Sequence, residues 1–292
     1  RMKLYEMAEA GRHFTPLLPI VARLDGVNFS TFTKGFKRPY DERMTNIMVA
    51  TTVHLVEQTH ARCGFVQSDE ISLLYFSERF KSQIYLNGRI HKMVSRLAAR
   101  ASSYFTRVLP NFIEERKNEV IEFDCRCWQL PSLTEATNAI LWRELDATKN
   151  SVSMAAQHYY SHKQLQDLGR ADMMDLLMEK GINWKDYPAF FKRGTYVQRK
   201  KTVRKFTTSE IDKLPENHKA RFDPDLEVTR SDVRVIDMPP LLKVTNREDV
   251  VVFGADPIIL GEWSESDEHP DDASIEAELE KELKEEIENI NE

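Results

Sequence analysis

Apolar residues crowd together from Ile20 to Leu24 in LPIVARLDGVNF and stop at Asp25-Gly26, a pattern that predicts a strand ending in a tight turn. The spacing then changes. In RPYDERMTNIMVATTVHLVEQTHARCG, Met44, Ile47, Met48 and Leu55 recur near 3.6 residues with Thr51 filling the stripe, which predicts a helix opened by Pro39 and Asp41 and closed by Gly64. GFVQSDEISLLYF holds two short strand-like runs, FVQ and ISLLYF, parted by SDE, and so predicts a hairpin tipped by Asp69 and Glu70. After a polar break at 77–81, RIHKMVSRLAARASSYFTRVL has helical spacing with a cationic face, and EVIEFDCRCWQL reads as a further strand. SLTEATNAILWRELDATKNSVSMAAQHYY is a long helix opened by a capping box from Ser132 to Glu135. A shorter helix follows over HKQLQDLGRADMMDLLMEKG and ends at Gly181.

The pattern loosens afterwards. Residues 206–234 are charged and contain proline, as in a long excursion, whereas DVVVFGADPIIL is strand-like. In ASIEAELEKELKEEIENI the apolar residues Ile275, Leu279, Leu283, Ile287 and Ile290 share one helical stripe, fit for packing or for an oligomer contact.

Composition adds bounds. With 292 residues and 41% hydrophobic content the chain can bury a sizeable core in one large domain or two. No stretch approaches a membrane span and the N-terminus lacks the apolar centre of a signal peptide, so a cytoplasmic location and no membrane partner are expected. Cys63, Cys125 and Cys127 lack CxxC spacing, which favours free thiols over a disulfide framework or zinc site. The net charge of -6 hides an asymmetry: residues 262–292 carry -12, which leaves +6 for residues 1–261. A basic body suits a polyanionic partner.

Asp69 and Glu70 interrupt an apolar run, and charged side chains are seldom buried without a partner. If the first strand and the hairpin pair side by side, Asp25 and Asp69 meet at one sheet edge. Two hard oxygen donors suit Mg²⁺ when phosphates and water complete its shell, and two such ions can clamp an in-line phosphoryl displacement. Acids are also common turn formers, so spacing alone leaves a solvated hairpin tip as the alternative.

RLDGVNFSTFTKGFKRPYDERM, QSDEIS and FFKRGT, in that order, closely resemble motifs of the tRNA-histidine guanylyltransferase family and its like-protein branch, the 3′-to-5′ nucleotide polymerases. The match covers residues 5–205. This resemblance implies an α+β catalytic fold, a polymerase-palm-like (ferredoxin-like) antiparallel sheet with helices packed on it. It implies two Mg²⁺ ions, ATP and GTP or other NTPs as substrates, tRNA as partner, and a homo-oligomer, tetramer or dimer. Carried over by position, the metal-binding acids fall on Asp25 and Asp69 with the Gly26 carbonyl, and Glu70 accompanies them at the catalytic centre. The backbone of Val27, Asn28 and Phe29 would cradle a triphosphate. A phosphate-contacting lysine of the family falls on Arg38, with Asp41 and Ser68 close to the nucleotide, and a basic pair that would bind phosphate of nucleotide or RNA falls on Arg89 and Lys92. The expected domains are a catalytic unit at 1–135, a helical and basic tRNA-binding region at 136–261 that completes the fold, and an acidic linker with helix at 262–292.

Departures narrow the expectation. Where strictly histidine-specific members carry His-Ile-Asn-Asn, this chain has ATKNSV: Thr148 occupies the histidine position, Asn150 is kept, and an expected lysine falls on Met173. That favours the like-protein branch and repair of 5′-truncated tRNA by templated addition. The cationic run with Lys192, Arg193, Arg199, Lys200 and Lys201 fits RNA phosphates, and Tyr196 and Phe206 beside it could stack on bases. Two rivals remain. A palm-type nucleotide cyclase shares the strand, helix and acid-tipped hairpin, but Gln67-Ser68 precede the acids instead of the glycine pair of diguanylate cyclases. A non-catalytic RNA-binding protein of the same fold would have no need of intact Asp25, Asp69 and Glu70.

Overall fold

A computed structural model describes residues 1–223, 225–259 and 261; the acidic linker and amphipathic helix expected at 262–292 lie outside the described residues. Six strands form one sheet, all of whose neighbouring pairs are antiparallel: β1 (Ile20–Gly26), β2 (Cys63–Gln67), β3 (Glu70–Tyr75), β4 (Phe123–Gln129), β5 (Thr195–Lys205) and β6 (Glu227–Ile236), in the order β4-β1-β3-β2-β5-β6. The helices are α1 (Met2–Ala10), α2 (Phe29–Phe32), α3 (Glu42–Thr59), α4 (Ile90–Phe112), α5 (Leu133–Tyr159), α6 (His162–Leu165), α7 (Arg170–Glu179), α8 (Ala189–Arg193) and α9 (Thr208–Asp212).

Strand alternation divides the core. Ile20, Ala22 and Leu24 of β1 face α3 and α4, joined there by Ile47, Leu55, Leu97 and Phe105. Val21 faces the opposite side with Ile140, Leu141 and Val251, as side chains of period two require. Each side is a layer of helix on sheet, so the strands are covered on both faces and their apolar runs are nearly continuous. Thr51 does sit fully buried in the α3 stripe, its hydroxyl donating to the Ile47 carbonyl at 2.8 Å.

Four expectations need correction. Helix α3 ends at Thr59 with His60 in the left-handed region, φ 58°, and Gly64 belongs to β2, where Thr52 and Val56 of α3 crowd its missing Cβ. The helix expected over 162–181 is two, α6 and α7, with Asp167 at φ 63° between them. The excursion at 206–234 contains most of β6, which pairs with β5 from Tyr196 opposite Ile236 to Lys205 opposite Glu227; only Thr195 to Gln198 of β5 also reach β2, so the rest forms a two-stranded ribbon. Asp249–Phe253 coils into a π-helical turn that buries Val250, Val251 and Val252, a short apolar run whose periodicity cannot separate buried helix from buried strand.

Candidate nucleotide and metal site

Strand β1 ends where the β2–β3 hairpin turns. Asp25 lies directly opposite Glu70 in the antiparallel register, the hairpin loop is the two residues Ser68 and Asp69, and the Gly26 N–H donates to the Asp69 carbonyl at 3.1 Å. Two turns far apart in sequence thus share a backbone hydrogen bond. Ser68 adopts φ 52°, and its side chain hydrogen-bonds the Asp69 carboxylate. Burial pushes the Asp69 carboxyl above its ordinary range, and the facing Asp25 charge adds to the push. A half-buried carboxylate repelled by a second one suits a divalent cation, which would reverse both penalties. Among the described residues no group of three His, Cys, Asp or Glu side chains converges.

Gly26 is required by close approach. A Cβ there would sit 2.2 Å from the Phe29 ring, and Phe29 is buried edge-on to Phe32 and Phe105 and packed on Phe123. Gly26→Ala is expected to cost about 1–3 kcal/mol by overpacking, read as a lower denaturant midpoint; an unchanged midpoint would show that the ring moves aside freely. Of the three amides expected to cradle a triphosphate, that of Val27 already donates to the Glu122 carbonyl at 2.9 Å. Asn28 follows in the left-handed region, φ 58°, and caps α2.

Glu70 is committed elsewhere than its neighbour. Arg143 Nε donates to one of its carboxylate oxygens at 2.6 Å and Nη2 to the other at 2.8 Å, while Arg23 lies 3.8 Å away. Burial pushes the Glu70 carboxyl up and the Arg143 guanidinium pulls it back, with the upward effect the larger. Arg143 also reaches Asp146 at 2.9 Å and covers the Trp142 ring at 4.5 Å. Sequence reasoning missed Arg143: its partner lies 73 residues away, and no local spacing carries that pairing.

Arg38, Asp41 and Ser68 line one cavity, walled by Met44, Met154 and Phe190. Asp41 is also the cap of α3, accepting from the Arg43 amide at 3.0 Å and from Arg43 Nε at 3.0 Å, and those bonds hold its carboxyl below the usual range. Arg89 and Lys92 are not brought to the carboxylates. Arg89 bridges His13 before β1 begins, at the end of the sheet opposite Asp25, and seven strand residues span roughly 20 Å.

The cationic run is largely structural. Lys192 is fully buried, donating to the Lys185 carbonyl at 2.9 Å above Trp184, and Arg193 is 3% exposed with Nε on the Met238 carbonyl. Arg199 donates to the Ala61 and Glu57 carbonyls at the end of α3, and Lys200 pairs with Asp256. Lys201 is exposed. Tyr196 is 1% exposed with its hydroxyl on Glu144, and Phe206 packs on His218. Lys192, Arg193 and Arg199 share one cause: α8 and the start of β5 pack into the core, so these cations turn inward and are satisfied by backbone carbonyls. Cys63 is buried, its thiol pushed up to about 12, and all three cysteines are free.

Paired carboxylates at the end of an antiparallel sheet, beside a cavity with polar and apolar walls, are equipment for handling a nucleotide. Residues 1–131 match the family model described as Thg1, tRNAHis guanylyltransferase. The tRNA(His) guanylyltransferase of Saccharomyces cerevisiae is 27% identical over 222 residues, 70% of this chain and 92% of the relative. A bacterial tRNA(His) guanylyltransferase (Thg1)-like protein solved in complex with ATP is 35% identical, with a TM-score of 0.64 over 68% of this chain and 86% of that one. The GTP complex of a bacterial protein of the same description is 28% identical, with a TM-score of 0.66 over 87% and 97%. The chain belongs to the tRNA(His) guanylyltransferase family, whose members are nucleotidyltransferases.

Proposed function

We propose that this chain adds nucleotides to the 5′ end of tRNA in the 3′-to-5′ direction, repairing 5′-truncated tRNA by templated addition in the manner of the like-protein branch. The observation that carries the proposal is the hydrogen bond from Gly26 to Asp69, which joins the two acid-bearing turns. Strands β1 to β4 with α3 and α4 follow the order of a split β-α-β-β-α-β unit, which supports a ferredoxin-like, palm-type catalytic unit at 1–135 completed by 136–261.

Asp25, Asp69 and the Gly26 carbonyl would hold Mg²⁺, which supplies charge neutralisation at the phosphates. Asn28 and Phe29 would offer backbone amides to the triphosphate, and the cavity of Arg38, Asp41 and Ser68 would seat the nucleotide. In the first step the tRNA 5′-phosphate oxygen attacks the α-phosphorus of ATP and pyrophosphate leaves. The 3′-hydroxyl of the incoming nucleoside triphosphate then attacks the activated 5′-phosphorus and AMP leaves. A triphosphorylated 5′ end would lose pyrophosphate instead. Both displacements are in line, so the side chains position and neutralise, and no general base is required. Glu70, held through both oxygens by Arg143, acts as a positioning residue for the strand end that carries Asp25.

Thr148 in place of the histidine of the histidine-specific members, buried with its hydroxyl on the Glu144 carbonyl, supports selection of the nucleotide by base pairing. The test offers the protein tRNAs lacking their first nucleotide, with ATP and each NTP singly, and sequences the 5′ ends formed. Addition of the templated nucleotide alone is expected; absence of Mg²⁺-dependent addition to any truncated tRNA would return the chain to a binding role.

A further inference from the structure

One side of α4 carries charge of a single sign. Arg89 at its N-cap, then Lys92, Arg96, Arg100 and Arg107 recur at helical spacing, and Ile90–Phe112 contains no Asp or Glu. Lys92, Arg96 and Arg107 are exposed, and the row from Arg89 to Arg107 covers 19 residues, about 27 Å of helix. For the helix alone this is unfavourable. Like charges four apart repel, as at Lys92 with Arg96 and Arg96 with Arg100, and cations at the first turn oppose the helix dipole.

The row borders a concavity between α3 and α4, where Arg96, Arg100 and Arg107 surround His54 and Tyr104. His54 lies flat on Tyr104, ring centroids 4.0 Å apart and planes 11° apart, and Arg107 covers the tyrosine at 5.4 Å. Burial, followed by the charges of Arg100 and Arg107, holds His54 below its ordinary pKa, so the ring is a platform at neutral pH and not a further cation. Arg100 Nε is buried and finds no hydrogen-bond partner among the described residues; a buried donor of that kind calls for an acceptor. Between Arg100 and Arg107, Ser102 accepts the Phe123 N–H at 2.9 Å, and Phe123 pairs with Gly26. The row therefore passes one strand away from the candidate site.

We propose that the outer side of α4, centred on Arg96, Arg100 and Arg107, is the track that holds the phosphodiester backbone of the RNA substrate. Guanidinium forks match phosphate oxygens two at a time, and the stacked His54 and Tyr104 offer an aromatic surface beside them. The run from Lys192 to Arg199, whose cations turn inward, does not supply this surface. The inference rests on the tRNA-extension reading above.

The full chain with Arg96→Gln, Arg100→Gln and Arg107→Gln together is compared with the parent for binding of a 5′-truncated tRNA by fluorescence anisotropy, from about 50 to 200 mM salt. ATP binding and the thermal midpoint are followed alongside. We expect at least tenfold weaker tRNA binding near 100 mM salt and a slope of log K against log[salt] shallower by about 2–3, since each lost phosphate contact removes ~0.9. ATP affinity should be unchanged. A parent that extends truncated tRNA while the triple variant binds it with the same affinity and slope overturns the track alone. A parent that neither binds nor extends tRNA overturns the track and the extension reading together. A parent that binds tRNA through this row without extending it supports the track and overturns the extension reading.

Discussion

Asp25→Asn and Asp69→Asn are each expected to reduce nucleotide addition by on the order of 10³-fold or more, while tRNA affinity stays within about twofold, because the lost charge acts on the reacting phosphates and not on the RNA backbone. Single-turnover addition to a truncated tRNA, with binding measured in parallel, checks both halves. Normal turnover by either variant would remove the metal assignment. Stability should move the other way for Asp69. Burial and Asp25 raise its carboxyl in the folded chain, so its proton is held more tightly folded than unfolded. That contribution is fully present below the unfolded pKa of about 3.9, and it is lost as pH rises through the raised folded value. At pH 7 the ionised Asp69 opposes folding. In EDTA at pH 7, Asp69→Asn is therefore expected to melt above the parent, and Mg²⁺ with ATP should raise the midpoint of the parent only. A variant that melts below the parent in EDTA would show that the carboxylate is not strained by its surroundings.

Arg143→Met should be among the most destabilising single changes near the site. The side chains of Arg143 and Glu70 are only 10% and 16% exposed, and removing one partner of such a pair leaves an uncompensated buried charge, a loss of about 3–5 kcal/mol. Arg143→Met combined with Glu70→Leu should recover most of that loss, since an apolar pair of similar volume can replace a buried ion pair at little net cost. Urea midpoints of the parent, the two single variants and the double variant close the cycle. A double variant as unstable as the sum of the singles would mean that the two side chains act independently, and the positioning role of Glu70 would fall.

Much of the candidate site was legible in local chemistry. The apolar run ending at Asp25-Gly26 and the hairpin tipped at Asp69 are set by strand alternation and by turn residues within a dozen positions, and the structure places both where that pattern put them. The basic run misled because charge says nothing about direction: Lys192 and Arg193 lie on a short helix packed into the core, and the carbonyls of Lys185 and Met238 satisfy them. Val27 was misleading for a related reason, since its amide was already spoken for by Glu122, 95 residues away in sequence. Arg89 and Lys92 follow the hairpin closely in sequence, yet β3 carries the chain to the far end of the sheet before α4 begins.

By itself the sequence determined the elements whose signals are local: β1, the acid-tipped hairpin, α3 with its Asp41 cap, α5 with its Ser132 cap, and the motifs that mark the family. Only the tertiary structure decided which amides, cations and carboxylates remain available to a ligand. Pairing across a sheet and against its helices joins residues dozens of positions apart, and the desolvation that consumes Lys192, or leaves Arg100 Nε without an acceptor among the described residues, depends on neighbours that no local pattern specifies.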